Sequence, residues 1–257
     1  RQWGVLEFLN LGPEFLSGRA VPPLQILRFA GSAPEEESAL WFVGGLEGAS
    51  KKDSYLIGIL QKAFQKGIIQ PLPNVFLTPL VNAAADPKNG SLNWLGQKIS
   101  EDFPTDSSGH EAAQSTEVRT LLRWAETYKP KAIVSFSVGN SLIRHTETIP
   151  AEIVSRLGEL AERPTYIFGT GPELANGSKP DLGTWCAENG VGWIEFGISD
   201  SKLNFQEFAE TEWRKYSGPA LKWLSEGLRF NPPKEEVPLA KHMIVPVLEM
   251  PPEFANL

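Results

Sequence analysis

Cysteine, histidine and basic charge are all scarce in this chain of 257 residues. Its single cysteine, Cys186, excludes an intrachain disulfide, and we expect it to be a small core residue. The three histidines, His110, His145 and His242, are expected in surface or capping positions rather than as metal ligands. A net charge of −7 and a pI near 5.2 argue against a nucleic-acid partner and against an anionic membrane surface, since both require a basic face.

The chain also lacks a long apolar run. The longest runs, residues 39–45 and 132–136, have the length of strands and are far too short to cross a bilayer. We therefore expect no membrane span, and the compartment stays open between periplasm and cytoplasm. The hydrophobic content of 41% is sufficient for one sizeable core.

Short apolar segments alternate with amphipathic ones along most of the chain, which is typical of an α/β fold. We predict one domain, residues 1–230, with a mixed central sheet and helices on both faces, followed by a proline-rich extension, residues 231–257. Ser115 and Asp53 are expected to cap the helices that follow them. The predicted strands are 24–30, 39–44, 74–80, 132–137, 165–168 and 192–196, and the predicted helices are 53–66, 115–128, 151–162, 182–189 and 205–224.

Three loop sequences stand at particular places in this alternation. Residues 44–50 read Gly-Gly-Leu-Glu-Gly-Ala-Ser after a strand, residues 91–104 carry Asn93, Gly96 and Phe103-Pro104, and the strand 132–137 ends in Ser-Phe-Ser. In order and spacing, the chain from about residue 18 to 228 resembles the M14 zinc carboxypeptidases, most of all their murein-peptide amidase branch. Further support comes from residues 81–82, 115–119, 177–185 and 192–196. The resemblance implies a zinc carboxypeptidase-like fold.

The same resemblance implies that the metal ligands are missing. The first two ligands of the family, a His and a Glu, fall on Glu47 and Ser50, and its third, a His, falls on Ser137 or its neighbour Phe136. A catalytic zinc site usually takes three imidazole, thiolate or carboxylate ligands from the protein. We therefore expect no zinc and no other cofactor, and a pocket at the former metal positions Glu47, Ser50 and Ser137.

Substrate recognition is altered as well. The Asn-Arg pair with which the family holds a terminal carboxylate falls on Ser100 and Glu101, and the next Asn falls on Asp102. Arg offers a planar fork that matches a carboxylate, whereas Glu101 repels it. The resemblance thus makes Ser100, Glu101 and Asp102 former substrate-binding positions.

One catalytic residue remains in the aligned positions. Glu195 matches the family's Glu, which activates the zinc-bound water. Without a metal the pKa of the water stays at roughly 15.7 rather than about 7, so Glu195 is interpreted as a vestigial general base. Another hypothesis is that carboxylates converge to hold a hard cation such as Ca²⁺. The carboxylates concerned are Glu47, Glu101, Asp102 and Glu195. We favour the interpretation that they form ion pairs with the lysines Lys51, Lys52 and Lys98.

These observations favour a non-catalytic carboxypeptidase-like protein, a pseudo-peptidase, that binds a peptide or a partner protein. The amidase resemblance suggests a cell-wall peptide, and an acidic pocket suits an amine-bearing group such as diaminopimelate. One alternative is a divergent metallocarboxypeptidase or murein-peptide amidase whose ligands are unaligned, so enzymatic activity is left open. The other is a structural scaffold that docks through residues 231–257.

Overall fold

In the part of the chain that the computed structural model describes, seven strands form one mixed sheet with helices against both of its faces. The structure describes residues 24–32, 39–47, 51–83, 85, 92–93, 96–107, 109, 112–139, 141–168, 181–198 and 204–227. The predicted extension, residues 231–257, lies outside these ranges.

The strands match the six predicted apolar segments, with one addition. They are β1 (Leu27–Phe29), β2 (Ala39–Val43), β3 (Asn74–Thr78), β4 (Ala132–Val138), β5 (Ile143–His145), β6 (Thr165–Ile167) and β7 (Gly192–Ile198). Strand β5 is the addition, and its three residues gave no clear periodicity. The sheet order is β1-β3-β2-β4-β7-β5-β6. Strand β1 is antiparallel to β3 and β5 is antiparallel to β7, whereas the other neighbours are parallel.

The helices are α1 (Lys52–Gln65), α2 (Thr116–Tyr128), α3 (Ala151–Ala161), α4 (Leu182–Glu188), α5 (Phe205–Phe208) and α6 (Gly218–Gly227). A π-helical segment, Ala209–Ser217, connects α5 to α6. The helix predicted over 205–224 is therefore continuous, but its middle part is π-helical and not α-helical. None of the helices in the described ranges is long and apolar enough to cross a membrane.

Alternate residues of each strand pack on opposite faces of the sheet, as the pleat requires. One face carries Phe42, Val134 and Phe196 and is covered by α1, α3 and α6. The other face carries Trp41 and Trp193 and is covered by α2 and α4. The predicted mixed sheet with helices on both faces is therefore confirmed.

One of the two predicted helix caps is correct. The Ser115 side chain accepts a hydrogen bond from the backbone N–H of Val118 and begins α2 as expected. The prediction for Asp53 is wrong, because α1 begins one residue earlier and its N-cap is Lys51, with φ 55° and no side-chain cap. The Asp53 carboxylate instead bonds the preceding loop.

Candidate functional site

The candidate site lies at the edge of the sheet where the parallel strands β2, β4 and β7 end. Val43, the last residue of β2, pairs with Ser135, and Ser135 pairs with Glu195, so the end of β2 is level with these two residues. Strands β4 and β7 continue for three residues beyond that level. In sheets of this kind, ligands bind outside the carboxyl ends of the strands. The residues on which the resemblance places metal ligands lie in the loop after β2 and in the last residues of β4 itself.

The Gly-Gly loop after β2 is held tightly against the end of β3. The N–H of Gly44 donates to Thr78, and the carbonyl groups of Gly44 and Gly45 accept from the N–H groups of Val81 and Asn82. Gly45 has φ +65°, and a Cβ there would lie 2.5 Å from Leu80 Cδ1. The loop therefore requires glycine for its shape, with or without a metal.

The Asp53 carboxylate anchors this loop to α1. Its Oδ2 accepts from the N–H of Gly45 at 2.5 Å, and its Oδ1 accepts from the N–H of Ser54 at 2.8 Å. Burial raises the pKa of Asp53 above its ordinary value, these backbone N–H groups lower it, and the nearby Glu47 charge raises it. Glu47 itself is exposed at the end of a described range, and Ser50 lies outside the described residues.

The register of β4 distinguishes Ser137 from Phe136, the two residues on which the resemblance places the third ligand. Phe136 is buried on the face covered by α1, α3 and α6. Ser137 therefore points to the opposite face, beside β7, and its hydroxyl donates a hydrogen bond to the Glu195 carboxylate. Ser137, rather than Phe136, thus occupies the position next to the aligned general base.

Arg144, which no motif of the sequence indicates, binds the Glu195 carboxylate. The antiparallel pairing of β5 with β7 places the two residues directly opposite each other. Nε and one terminal NH₂ of Arg144 donate to Glu195 Oε1 at 2.8 and 2.5 Å. The side chains are 24% and 12% exposed, so this ion pair is largely removed from water.

Burial and this ion pair act in opposite directions on Glu195. Burial is the largest effect and raises the pKa of the carboxyl group. The Arg144 charge and the hydrogen bonds from Arg144 and Ser137 lower it, and the Asp181 charge raises it again. The net pKa is above the ordinary value for Glu, as is common for catalytic carboxyl groups and also for structural ones.

Ser100, Glu101 and Asp102, which only the resemblance makes substrate-binding positions, lie in and directly after a 3₁₀ turn, Ile99–Glu101, and have different surroundings. Ser100 is half-buried. Glu101 forms an ion pair with Lys98 at 2.6 Å, which is one of the predicted lysine pairings. Asp102 is buried, and its carboxylate accepts from the N–H groups of Gln114 and Ser115 at the start of α2. Asp102 thereby stabilises a helix N-terminus.

Asn93, the first of the motif residues that the segment 91–104 carries, also has a structural role. Its Oδ1 accepts from the N–H of Gln97, and its carbonyl accepts from the N–H of Gly96, which has φ +77°. Its side chain also bonds the buried carboxylate of Glu117, whose pKa is raised by burial. The frame of the motif therefore shapes the loop independently of any ligand.

The described residues do not fit a zinc site. Ser137 offers only a hydroxyl group, which is a poor zinc ligand. The guanidinium group of Arg144 already forms an ion pair with Glu195, so a positive charge is present beside this carboxylate. Within the described ranges, no group of three or more His, Cys, Asp or Glu could hold a metal ion. Glu47, Glu101, Asp102 and Glu195 all lie in these ranges, so the hypothesis that they converge on a cation is wrong.

The histidines do not change this conclusion. His145 is buried, and its Nδ1 lies 3.0 Å from the carbonyl oxygen of Thr146. Because it neighbours Arg144 on β5, its side chain points to the face opposite Glu195. His110 and His242 lie outside the described residues.

Comparison with solved structures identifies the fold. Murein-tripeptide amidase MpaA from Escherichia coli O157 superposes with a TM-score of 0.54 at 16% identity, covering 74% of this chain and 82% of that one. Bovine thrombin-activatable fibrinolysis inhibitor, in complex with tick carboxypeptidase inhibitor, gives a TM-score of 0.54 at 13% identity, covering 79% and 82%. An aspartoacylase family protein from Mesorhizobium loti gives 0.53 at 14% identity, covering 82% and 63%.

No protein-family model matches the sequence, and a search of curated proteins finds no match. The likeness is therefore one of structure. The chain has the α/β fold of the zinc carboxypeptidases, and the resemblance read from its loops is confirmed at that level.

Proposed function

We propose that this chain is a non-catalytic protein of carboxypeptidase fold, which binds a peptide or a partner protein instead of cleaving one. The observation that carries the proposal is the ion pair between Arg144 and Glu195. A general base must accept a proton from a water molecule, and here its Oε1 accepts two hydrogen bonds from a guanidinium group. The Ser137 hydroxyl, at the aligned ligand position, donates to the same carboxylate.

The nature of the ligand follows less directly. The likeness to a murein-tripeptide amidase supports a cell-wall peptide as the first candidate. The argument from an acidic, amine-binding pocket loses support, because Glu195, Glu101 and Asp102 are each compensated by a cation or by backbone N–H groups. We therefore base the cell-wall proposal on shape alone.

One observation favours the alternative, a divergent hydrolase. Glu195 is a buried carboxyl group with a raised pKa at the edge of the sheet where ligands bind in such folds, and perturbed groups of this kind are concentrated at catalytic sites. An active enzyme would require Arg144 to move away from Glu195 and a metal or another activating group to approach it.

The test uses the full chain and a murein tripeptide that ends in diaminopimelate. Calorimetric titration and chromatography of the products, with and without added Zn²⁺, measure binding and cleavage separately. The proposal predicts binding without cleavage in both conditions. Cleavage that disappears in Glu195→Gln contradicts the proposal and supports the hydrolase. If the peptide is neither bound nor cleaved, the cell-wall ligand is excluded.

A further inference from the structure

Arg144 contacts an aromatic ring of β7 as well as the Glu195 carboxylate. Its guanidinium carbon lies 5.8 Å from the centre of the Trp193 ring, within the range of a cation–π contact. Trp193 and Glu195 lie two residues apart on β7, so both side chains are on the same face of the sheet. The cation is thus in contact with an aromatic ring and a carboxylate together.

The surroundings fix this ring and this carboxylate in place. Trp193 is buried, its Nε1–H donates to Ser135 Oγ at 3.0 Å, and the Phe168 ring meets it at 84° and 5.1 Å. The Ser137 hydroxyl donates to Glu195. Neither group has to reorganise in order to receive a cation.

A fixed carboxylate beside an aromatic ring is an arrangement that recognises guanidinium and ammonium groups. We propose that Glu195, Trp193 and Ser137 form a guanidinium-binding site, which Arg144 fills from within the chain and thereby closes to divalent cations and to amine-bearing ligands. Arg suits this position better than Lys, because its planar fork directs two N–H groups at one oxygen while its central carbon lies within cation–π range of the ring.

This inference goes beyond the proposed function, because it concerns what occupies the site and not whether the chain cleaves a peptide. Cleavage of a peptide by the chain would contradict the proposed function, whereas this inference would stand as long as Arg144 fills the site in the chain without a ligand. If removal of the Arg144 side chain had no effect on cation binding, this inference would be wrong and the proposed function would be unaffected.

Chemical rescue tests the proposal. Arg144→Ala opens the site, and ethylguanidinium chloride is the probe, with sodium chloride at equal ionic strength as the reference. We expect the probe to raise the thermal unfolding midpoint of Arg144→Ala in a saturable manner. In Arg144→Ala/Glu195→Gln the apparent affinity is expected to fall by about tenfold or more, since a charge-assisted hydrogen bond is replaced by a neutral one.

Arg156→Ala is the matched control. Arg156 also pairs with a carboxylate, Glu159 at 2.9 Å, but this pair is on an exposed helix surface. Neither Arg156→Ala nor the unmodified chain should respond to ethylguanidinium beyond the sodium chloride reference. A response of the same size in Arg156→Ala and Arg144→Ala, or none in Arg144→Ala, overturns the proposal.

A second pair of variants applies if Arg144→Ala does not fold. Arg144→Lys keeps the positive charge, whereas Arg144→Gln keeps hydrogen-bond donors but removes the charge. We expect Arg144→Lys to have the higher unfolding midpoint of the two at neutral pH. Equal midpoints would show that no cation is required beside Glu195, and the proposal would be wrong.

Discussion

The buried ion pair between Arg163 and Glu212 should produce the largest loss of stability from a single substitution. Their side chains are 4% and 1% exposed, and the two charged atoms lie 2.5 Å apart. Arg163 also donates to the carbonyl of Gly197, and the Ser217 hydroxyl donates to Glu212 at 2.5 Å. The pair thus connects the π-helical segment to the end of β7, two residues beyond Glu195.

Arg163→Met should reduce the free energy of unfolding by about 3–5 kcal/mol at neutral pH. This is the usual cost of removing one partner of a buried pair, because the remaining charge stays buried without compensation. Arg163→Met/Glu212→Gln should lose less than Arg163→Met alone. The neutral amide carries no charge to desolvate, and its oxygen still accepts from Ser217.

Urea unfolding followed by tryptophan fluorescence measures these differences by linear extrapolation. Arg156→Met is the control, because its pair with Glu159 is exposed by 36% and 66% and should contribute less than about 1 kcal/mol. A loss below about 1 kcal/mol in Arg163→Met would refute the reasoning. So would a double variant that is as unstable as the single one.

Three further predictions concern individual residues. Burial raises the pKa of Asp53, so the folded state binds its proton more tightly than the unfolded state does. The free energy of unfolding should therefore fall as pH rises from about 3.9 through the raised pKa, and Asp53→Asn should lack this fall. Equal slopes of unfolding free energy against pH in the two proteins would contradict the prediction. Gly183→Ala should lower the free energy of unfolding by about 1–3 kcal/mol, because the added Cβ would lie 2.7 Å from the Trp193 ring. Gly58→Ala on α1 should raise it by about 0.5–1 kcal/mol, because a Cβ there meets open space. Urea unfolding that finds Gly183→Ala as stable as Gly58→Ala would contradict this packing. Ser115→Ala should cost about 0.5–2 kcal/mol in the same assay, and no loss would exclude its capping role.

Much of the fold could be predicted because its signals are local. The apolar runs 39–44, 74–80 and 132–137 are long enough to show buried strands, and each is found within about two residues of its observed end. Strand β5 was missed because Ile143–His145 is too short to show a period, and its place between β6 and β7 is determined by tertiary packing. The π-helical segment was missed because a 3.6-residue period was assumed over 205–224. There, Glu212 and Ser217 meet at a spacing of five residues, and Pro219 cannot donate a backbone hydrogen bond.

The candidate site was predictable only in part, for the same reason. The resemblance singled out both Glu195 and Ser137, but that they lie side by side follows from the pairing of β4 with β7 in the structure. Arg144 could not, because it reaches Glu195 only through β5, which the sequence did not reveal. The resemblance makes Asp102 a substrate-binding position, and local position makes Asp53 a helix cap. Their carboxylates instead bind backbone N–H groups 12 or 13 and 8 residues away along the chain.

The central proposal is that Arg144 supplies an internal cation beside Glu195, in the region where the resemblance to the zinc carboxypeptidases would lead one to expect a metal ion. The most direct measurement is the zinc content of the purified full chain after dialysis against micromolar Zn²⁺ and removal of free metal. The account predicts far less than one zinc per chain, both for the unmodified protein and for Glu195→Gln. About one tightly bound zinc per chain in the unmodified protein, whether or not Glu195→Gln retains it, would contradict the account.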